Sequence, residues 1–212
     1  RSVDCSHLLS TIPINDLVKA FTPEPSATVA AAAAALSYRA LIFAFLTLDR
    51  ESVSDDSWIY FPDPDILFNR TSEVRNFTPR AAPHGKTSLC LEISCDVGDD
   101  VWLASERDLY ERCVAGLEAA RLARREEIIG CFFDRVAHAY PTYDIDFEVN
   151  LSALAYYLAA YANVVTCGRQ GLFRYLNMDH AMDMGFRAAE DVLSQCGAGG
   201  VDAVAREQVY LG

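Results

Sequence analysis

The run NVVTCGRQGLFRYLNMDHAMDMGFRAAEDVL, residues 163–193, decides the fold. Asn163 to Cys167 is short, apolar and rich in β-branched residues, so it reads as a strand that stops at Gly168. Asn177 to Leu193 reads as a helix: Met178, Met182, Gly185, Ala189 and Val192 trace one stripe, and the glycines between 197 and 200 end it. Between strand and helix, Gly168 and Gly171 let the backbone approach a ligand closely, and Arg169 and Arg174 supply charge. The helix opens at Asn177, so its free amides face this loop. A helix N-terminus with Gly and Arg beside it can hold a phosphate or the electron-rich edge of a ring. The same residues also satisfy an ordinary turn with surface arginines and Asn177 as the N-cap.

Upstream, the patterns are mostly those of strands. Tyr38 to Leu48 (YRALIFAFLTL) is aromatic and branched, as expected of a buried strand. Trp58 to Phe61 and Ile66 to Thr71 read as strands around the turn Pro62-Asp63-Pro64-Asp65. Thr87 to Asp96 alternates, with Leu89, Leu91 and Ile93 on one face, and reads as a half-buried antiparallel strand. Ile128 to Ala139 reads as another strand, and residues 79–86 as a loop. Helices are expected at Asn15 to Phe21, Ala27 to Ser37, Phe147 to Tyr161 and Ser105 to Arg124; in the last, Ser105 and Asp108 resemble a capping box. The fold class is therefore α+β: a mostly antiparallel mixed sheet with flanking helices, followed by a strand–turn–helix of α/β character.

Composition narrows the function. The chain has 212 residues and a formal net charge of −12, with 18 Lys and Arg against 30 Asp and Glu. Such a balance argues against nucleic acid or an anionic membrane as partner, since both attract clustered positive charge. The alanine-rich segment from Ala27 to Leu36 is about half the ~20 apolar residues needed to span a bilayer. Seven cysteines, an odd number without C-x-x-C spacing, make a disulfide framework unexpected and fit a cytoplasmic setting. The four histidines share no ligand spacing, so no metal site is expected.

Residues 168–190, GRQGLFRYLNMDHAMDMGFRAAE, resemble the C-terminal flavin-binding signature of FAD-dependent proteins with the amine oxidase, protoporphyrinogen oxidase and UDP-galactopyranose mutase fold. Two weaker resemblances accompany it. Asn69 to Phe77 (NRTSEVRNF) is similar to a mutase segment bearing a substrate-facing Arg, and Leu9 to Pro13 (LSTIP) to a strand returning to the FAD domain. The family opens with a Gly-x-Gly-x-x-Gly cradle for the FAD pyrophosphate, and none occurs here. The resemblance thus implies the C-terminal part of a flavoprotein, an expectation that agrees with the Met-less Arg-Ser-Val-Asp opening. It implies a return strand and helix of an α/β FAD-binding domain in residues 1–20 and a substrate-binding domain in 21–145. An FAD-contacting helix–strand–helix would occupy 146–196 and a tail 197–212.

Site roles follow from the resemblance alone. Gly168 would allow close approach of the flavin or its ribityl chain, and Arg169 would meet a diphosphate, that of FAD or of a nucleotide-sugar. Asn177 (where the mutases carry Asp), Met178 and Asp179 would present backbone amides to the flavin N1/O2 edge. Arg70, Tyr143, Arg174 and Tyr175 would line the substrate side. The implied function is an FAD-dependent oxidoreductase passing hydride between a substrate, such as an amine, and flavin N5. A mutase-like sugar isomerase and a non-catalytic interaction module are the alternatives. FAD is expected in the full-length protein and not on this chain alone, which would be inactive by itself. A missing N-terminal FAD-binding domain would be its partner, and its uncovered surface could drive self-association into a homo-oligomer. Met178, Met182 and Met184 are expected in core packing, and His180 in a structural role.

Overall fold

A computed structural model describes residues 2–194. In chain order the strands are β1 (Leu8–Ser10), β2 (Tyr38–Leu48), β3 (Trp58–Tyr60), β4 (Arg70–Glu73), β5 (Thr87–Cys95), β6 (Ile128–Pro141) and β7 (Val164–Thr166). The helices are α1 (Ile14–Lys19), α2 (Ala27–Ala35), α3 (Val74–Phe77), α4 (Glu106–Ala119), α5 (Phe147–Leu158), α6 (Gly168–Gly171) and α7 (Met178–Ser194). Two compact units result: residues 39–139, and the segments before and after them. The first of these lies within the expected 21–145 domain; α2 belongs to the other unit. Among the described residues no helix is long and apolar enough to cross a membrane.

The inner unit is a five-stranded sheet in the order β3-β4-β5-β2-β6, with β3, β4, β5 and β2 successively antiparallel. Alternation on β2 and β5 sends Ala40, Ile42, Ala44, Leu46 and Leu48 to the same face as Leu89, Leu91, Ile93 and Cys95. Helix α4 covers that face with Leu109, Cys113 and Leu117. Ser105 caps it as expected, accepting from the Asp108 amide at 3.1 Å and donating to the Asp108 carboxylate at 2.7 Å. The helix ends in a Schellman motif whose left-handed residue is Arg121, at φ 58°. Its amide reaches the Glu118 carbonyl, and the Leu122 amide reaches that of Leu117, each at 3.0 Å. The carboxylate of Glu73, buried beneath β4, accepts from the amides of Val53 and Ser54 and from the Thr87 hydroxyl at 2.9, 3.1 and 2.7 Å. These three donors keep its environment polar despite the burial.

Three expectations need correction here. The strand read at Ile66 to Thr71 begins at Arg70 instead. The Asp63 turn continues through Asp65 and Ile66, whose amides return to Asp63 at 2.9 and 3.2 Å. Ile66, Leu67 and Phe68 then all pack toward the core, which no period-2 strand allows. Phe68 is fully buried, close against Gly116 of α4. Second, β5 is buried on both faces and not half-buried, because Cys90 stands between Phe45 and Ser72, and Glu92 between Phe43 and Arg70, of the neighbouring strands. Third, residues 79–86 are no simple loop; Pro79–Ala81 form a 3₁₀ turn.

The outer unit joins helices and a small sheet. Ile14, Leu17, Val18, Ala33, Leu36, Leu151, Leu154 and Phe173 form its main core, with α1, α2 and α5 packed together. Strands β1 and β7 pair in parallel, Leu8 with Val164 and Ser10 with Thr166. Against them lie Met184 and Ala188 of α7. Met178 and Met182, expected in core packing, turn outward at 84% and 64% exposed, while Met184 and Ala188 are fully buried and Val192 packs with them. Both arcs of the helix are apolar, so periodicity found the helix but chose a face about a third of a turn away. The glycines expected to end it lie outside the described residues.

Candidate functional site

The site grows from the end of β7. After Thr166, the Cys167 amide bonds the Ser10 carbonyl at 2.9 Å, tying the strand exit to β1. Gly168 turns the chain at φ 80°, with open space where a side chain would start. Gly171 has the opposite constraint: a Cβ there would lie 2.7 Å from the Thr166 hydroxyl oxygen and 3.3 Å from the Ser10 carbonyl. The Thr166 hydroxyl donates to the Gly171 carbonyl at 2.7 Å. So the close backbone approach expected of both glycines is made by Gly171, toward the protein's own strands.

The next residue that matters, Phe173, went unnoticed in the sequence. It is fully buried at φ 51°, a conformation that strains a bulky side chain. Surroundings hold it there. The Tyr38 ring meets it edge-on at 5.0 Å, and the Tyr143 hydroxyl donates to its carbonyl at 3.3 Å. Tyr38 also donates to the Gln170 carbonyl at 3.0 Å. Burial pushes the Tyr38 phenol above its ordinary range, so it stays a donor at all physiological pH values. The Tyr143 hydroxyl in turn accepts from the Tyr175 amide at 2.9 Å, and its ring stacks on Phe147 at 4.3 Å. The i to i+4 spacing of Tyr143 and Phe147 across the start of α5 was a legible signal for this contact; Tyr38, 135 residues from Phe173, had none.

Beyond the strained residue the chain reaches α7. Arg169 directs its Nε to the Leu176 carbonyl at 3.1 Å, with Nη2 on the same oxygen, and its guanidinium lies 5.0 Å from the centre of the Tyr140 ring. The Asn177 carbonyl accepts the Ala181 amide at 3.1 Å, the first bond of α7. The amides of residues 178–180 therefore have no acceptor within the helix. Asn177, Met178 and Asp179 are exposed, so the positive end of the helix opens outward and is not buried among side chains. The Nδ1 of His180 lies 3.1 Å from the Asp179 carboxylate. Gly168, Arg169, Asn177, Met178, Asp179, Tyr143, Arg174 and Tyr175 thus belong to one unit and one neighbourhood of the chain.

Arg70 belongs to the inner unit. It lies in a cross-strand row on the sheet face opposite α4, in register with Tyr60 on β3 and Glu92 on β5, and Glu92 is in register with Phe43. Its guanidinium grips Glu92 from Nε at 2.9 Å and from Nη2 at 2.6 and 2.8 Å. Nη1 donates to the Tyr60 hydroxyl at 3.2 Å. Such a bidentate pair offsets the Arg70 charge locally.

The residues of the loop fit the flavin implied by the sequence resemblance. A helix end with free, outward amides can stabilise negative charge on a ring edge, and the open turn at Gly168 leaves space beside it. Among the described residues no cluster of side chains could hold a metal ion.

No protein-family model matches the chain. Solved structures do. A reduced UDP-galactopyranose mutase matches at a TM-score of 0.78 and 23% identity, over 95% of this chain and 45% of that one. A putative protoporphyrinogen oxidase from Exiguobacterium sp. matches at 0.60 and 15%, over 77% and 36%. Putrescine oxidase bound to putrescine matches at 0.59 and 15%, over 89% and 43%. The chain spans less than half the length of each. Across the part they share, the fold of these proteins is the fold of this chain.

Proposed function

We propose that the chain is the substrate-domain portion of an FAD-dependent oxidoreductase, in which hydride passes between a substrate C–H and flavin N5. One observation carries the reading: the exposed amino end of α7, reached from β7 through Gly168, where three amides lack helical acceptors. The flavin supplies the redox chemistry when bound. The chain's residues supply the surroundings. The amides of Met178, Asp179 and His180 hold negative charge at the N1/O2 edge, and Arg174 and Tyr175 flank the substrate side. Arg70 sits on the inner unit's open sheet face, where its pairing with Glu92 suits a neutral polar or zwitterionic group better than a naked anion.

Two features support a further half of the fold as partner. Parallel strands occur mostly in larger covered sheets, yet β1 and β7 make a two-stranded one with Leu8 and Leu9 exposed. The outward arc of α7 adds Met178, Met182, Phe186 and Leu193, all exposed. That half would bring the pyrophosphate cradle, and it makes residues 1–212 weak FAD binders by themselves. The higher TM-score of the mutase match is the reason for a second reading, a flavin-dependent sugar isomerase.

The full-length protein provides the test. Flavin absorbance with about one FAD released on denaturation is expected, and a colourless full-length protein removes both flavin readings. Anaerobic bleaching of the flavin by an amine or a porphyrinogen selects the oxidoreductase. Tighter UDP-sugar binding after dithionite reduction, with no bleaching by either, selects the isomerase. Submicromolar FAD binding by residues 1–212 alone overturns the partner assignment.

A further inference from the structure

Arg169 was expected to meet a diphosphate, but its geometry points elsewhere. Both Nε and Nη2 turn back onto one carbonyl of the chain itself, Leu176, seven residues on. The guanidinium carbon lies over the Tyr140 ring, 5.0 Å from its centre. Tyr140 stacks nearly parallel on Tyr175 at 5.5 Å and 17°, and the Tyr175 amide is held by the Tyr143 hydroxyl at 2.9 Å. The loop is closed a second time by the Arg174 amide on the Arg169 carbonyl, at 3.0 Å. Leu176 immediately precedes Asn177, whose carbonyl accepts the first hydrogen bond of α7. The chain from Arg169 to the helix is thus one closed bracket: guanidinium, two stacked tyrosines and a third tyrosine's hydroxyl.

We propose that Arg169 is a positioning residue that fixes where α7 begins, by clamping the Leu176 carbonyl while resting on the Tyr140–Tyr175 stack, and that it is not a direct ligand of an anion. Two N–H groups on a single carbonyl set both distance and direction, which a lysine's single flexible ammonium does not. The aromatic face restrains the guanidinium plane and gains strength as water is excluded. The clamp rests on this geometry alone. Only its purpose, holding three amides toward a flavin edge, rests on the function proposed above.

The test uses residues 1–212 with Arg169→Lys, Arg169→Gln and Tyr140→Leu, read by amide exchange and by proton shifts of the Tyr140 and Tyr175 rings. Inorganic pyrophosphate is titrated against the amide shifts of residues 178–180. In Arg169→Gln, exchange at Ala181 is expected to rise about tenfold or more, the loss of a charge-assisted hydrogen bond. The ring shifts should move with it, while amides of β2 and β5 keep their protection. Arg169→Lys, which keeps a donor and a cation over Tyr140, should recover part of both signals. Tyr140→Leu should loosen Ala181 with Arg169 intact, which keeps the question answerable if a charge-removing variant fails to fold. Unchanged exchange at Ala181 in both Arg169→Gln and Tyr140→Leu overturns the proposal. So does loss of the pyrophosphate response in Arg169→Gln at unaltered exchange, since Arg169 would then bind the anion itself. A wild-type chain that ignores pyrophosphate counts against the proposed role of the helix end; the exchange comparison still decides the clamp.

Discussion

Gly168 and Gly171 stand three residues apart and are glycines for different reasons. Gly168 needs its positive φ but has empty space around it; Gly171 has ordinary backbone angles but no space. Gly168→Ala should cost ~1–2 kcal/mol through conformation alone, and Gly168→Asn less, since Asn tolerates that region. At Gly171, Ala should cost ~1–3 kcal/mol by overpacking, and Asn more than Ala. Urea denaturation of the four variants checks this; Asn outperforming Ala at position 171 would refute the steric account. The thiols make a second prediction at this scale. Burial, with Glu92 adding, pushes Cys90 up to about 11, and burial pushes Cys113 to about 12. A raised thiol pKa favours the fold below the unfolded value of 9.0, and that contribution is lost as pH rises through the folded values. The urea midpoint should therefore fall between pH 9 and pH 11, and Cys90→Ser with Cys113→Ala should flatten that fall. Both thiols should resist alkylation in the native chain, while the exposed Cys5 reacts.

At the scale of elements, α4 carries an avoidable strain. Its Schellman motif places Arg121 at φ 58°, where glycine is the usual occupant. Arg121→Gly should stabilise the protein by ~0.5–1 kcal/mol, seen as a higher thermal midpoint, because removing the Cβ relieves the left-handed penalty. What the sequence disclosed about elements followed from how local each cause is. Strand β2 was legible end to end, because eight of its eleven residues are aromatic or branched and have no other regular home. The α4 cap was legible because Ser105 and Asp108 form it between themselves. Strand β4 was misplaced because Phe68 answers to Gly116, nearly fifty residues away. The inward face of α7 was misread because both of its arcs are apolar, and only the position of β1 and β7 selects one. In the site, the glycines, Arg169 and the helix start were visible as a local run. Tyr143 was already grouped with them by the resemblance, whereas Tyr38 and Tyr140 come from other stretches, and only the third dimension brings them in.

For the whole molecule, the division into two units has a measurable form. The hydrophobic core of the inner unit draws only on residues between Ala40 and Phe133, and the other two cores use none of these. Both tryptophans, Trp58 and Trp102, lie in the inner unit. Residues 39–139 expressed alone should unfold in one cooperative transition by tryptophan fluorescence, at nearly the midpoint seen for the intact chain. A sloping, non-cooperative curve from the excised segment would show that its core is incomplete. Far-ultraviolet circular dichroism of the intact chain adds the helices of the outer unit and need not share that midpoint.

The outer unit closes upon itself where the inner segment departs: the Thr142 amide bonds the Ser37 carbonyl at 2.9 Å. About a hundred residues are thus inserted between Ser37 and Thr142 in the sequence of the outer unit. Evolution could exchange that insert while the tyrosine bracket, built wholly from the outer unit, stayed untouched. A protein engineer could do the same, grafting a foreign sheet at the Ser37–Thr142 junction.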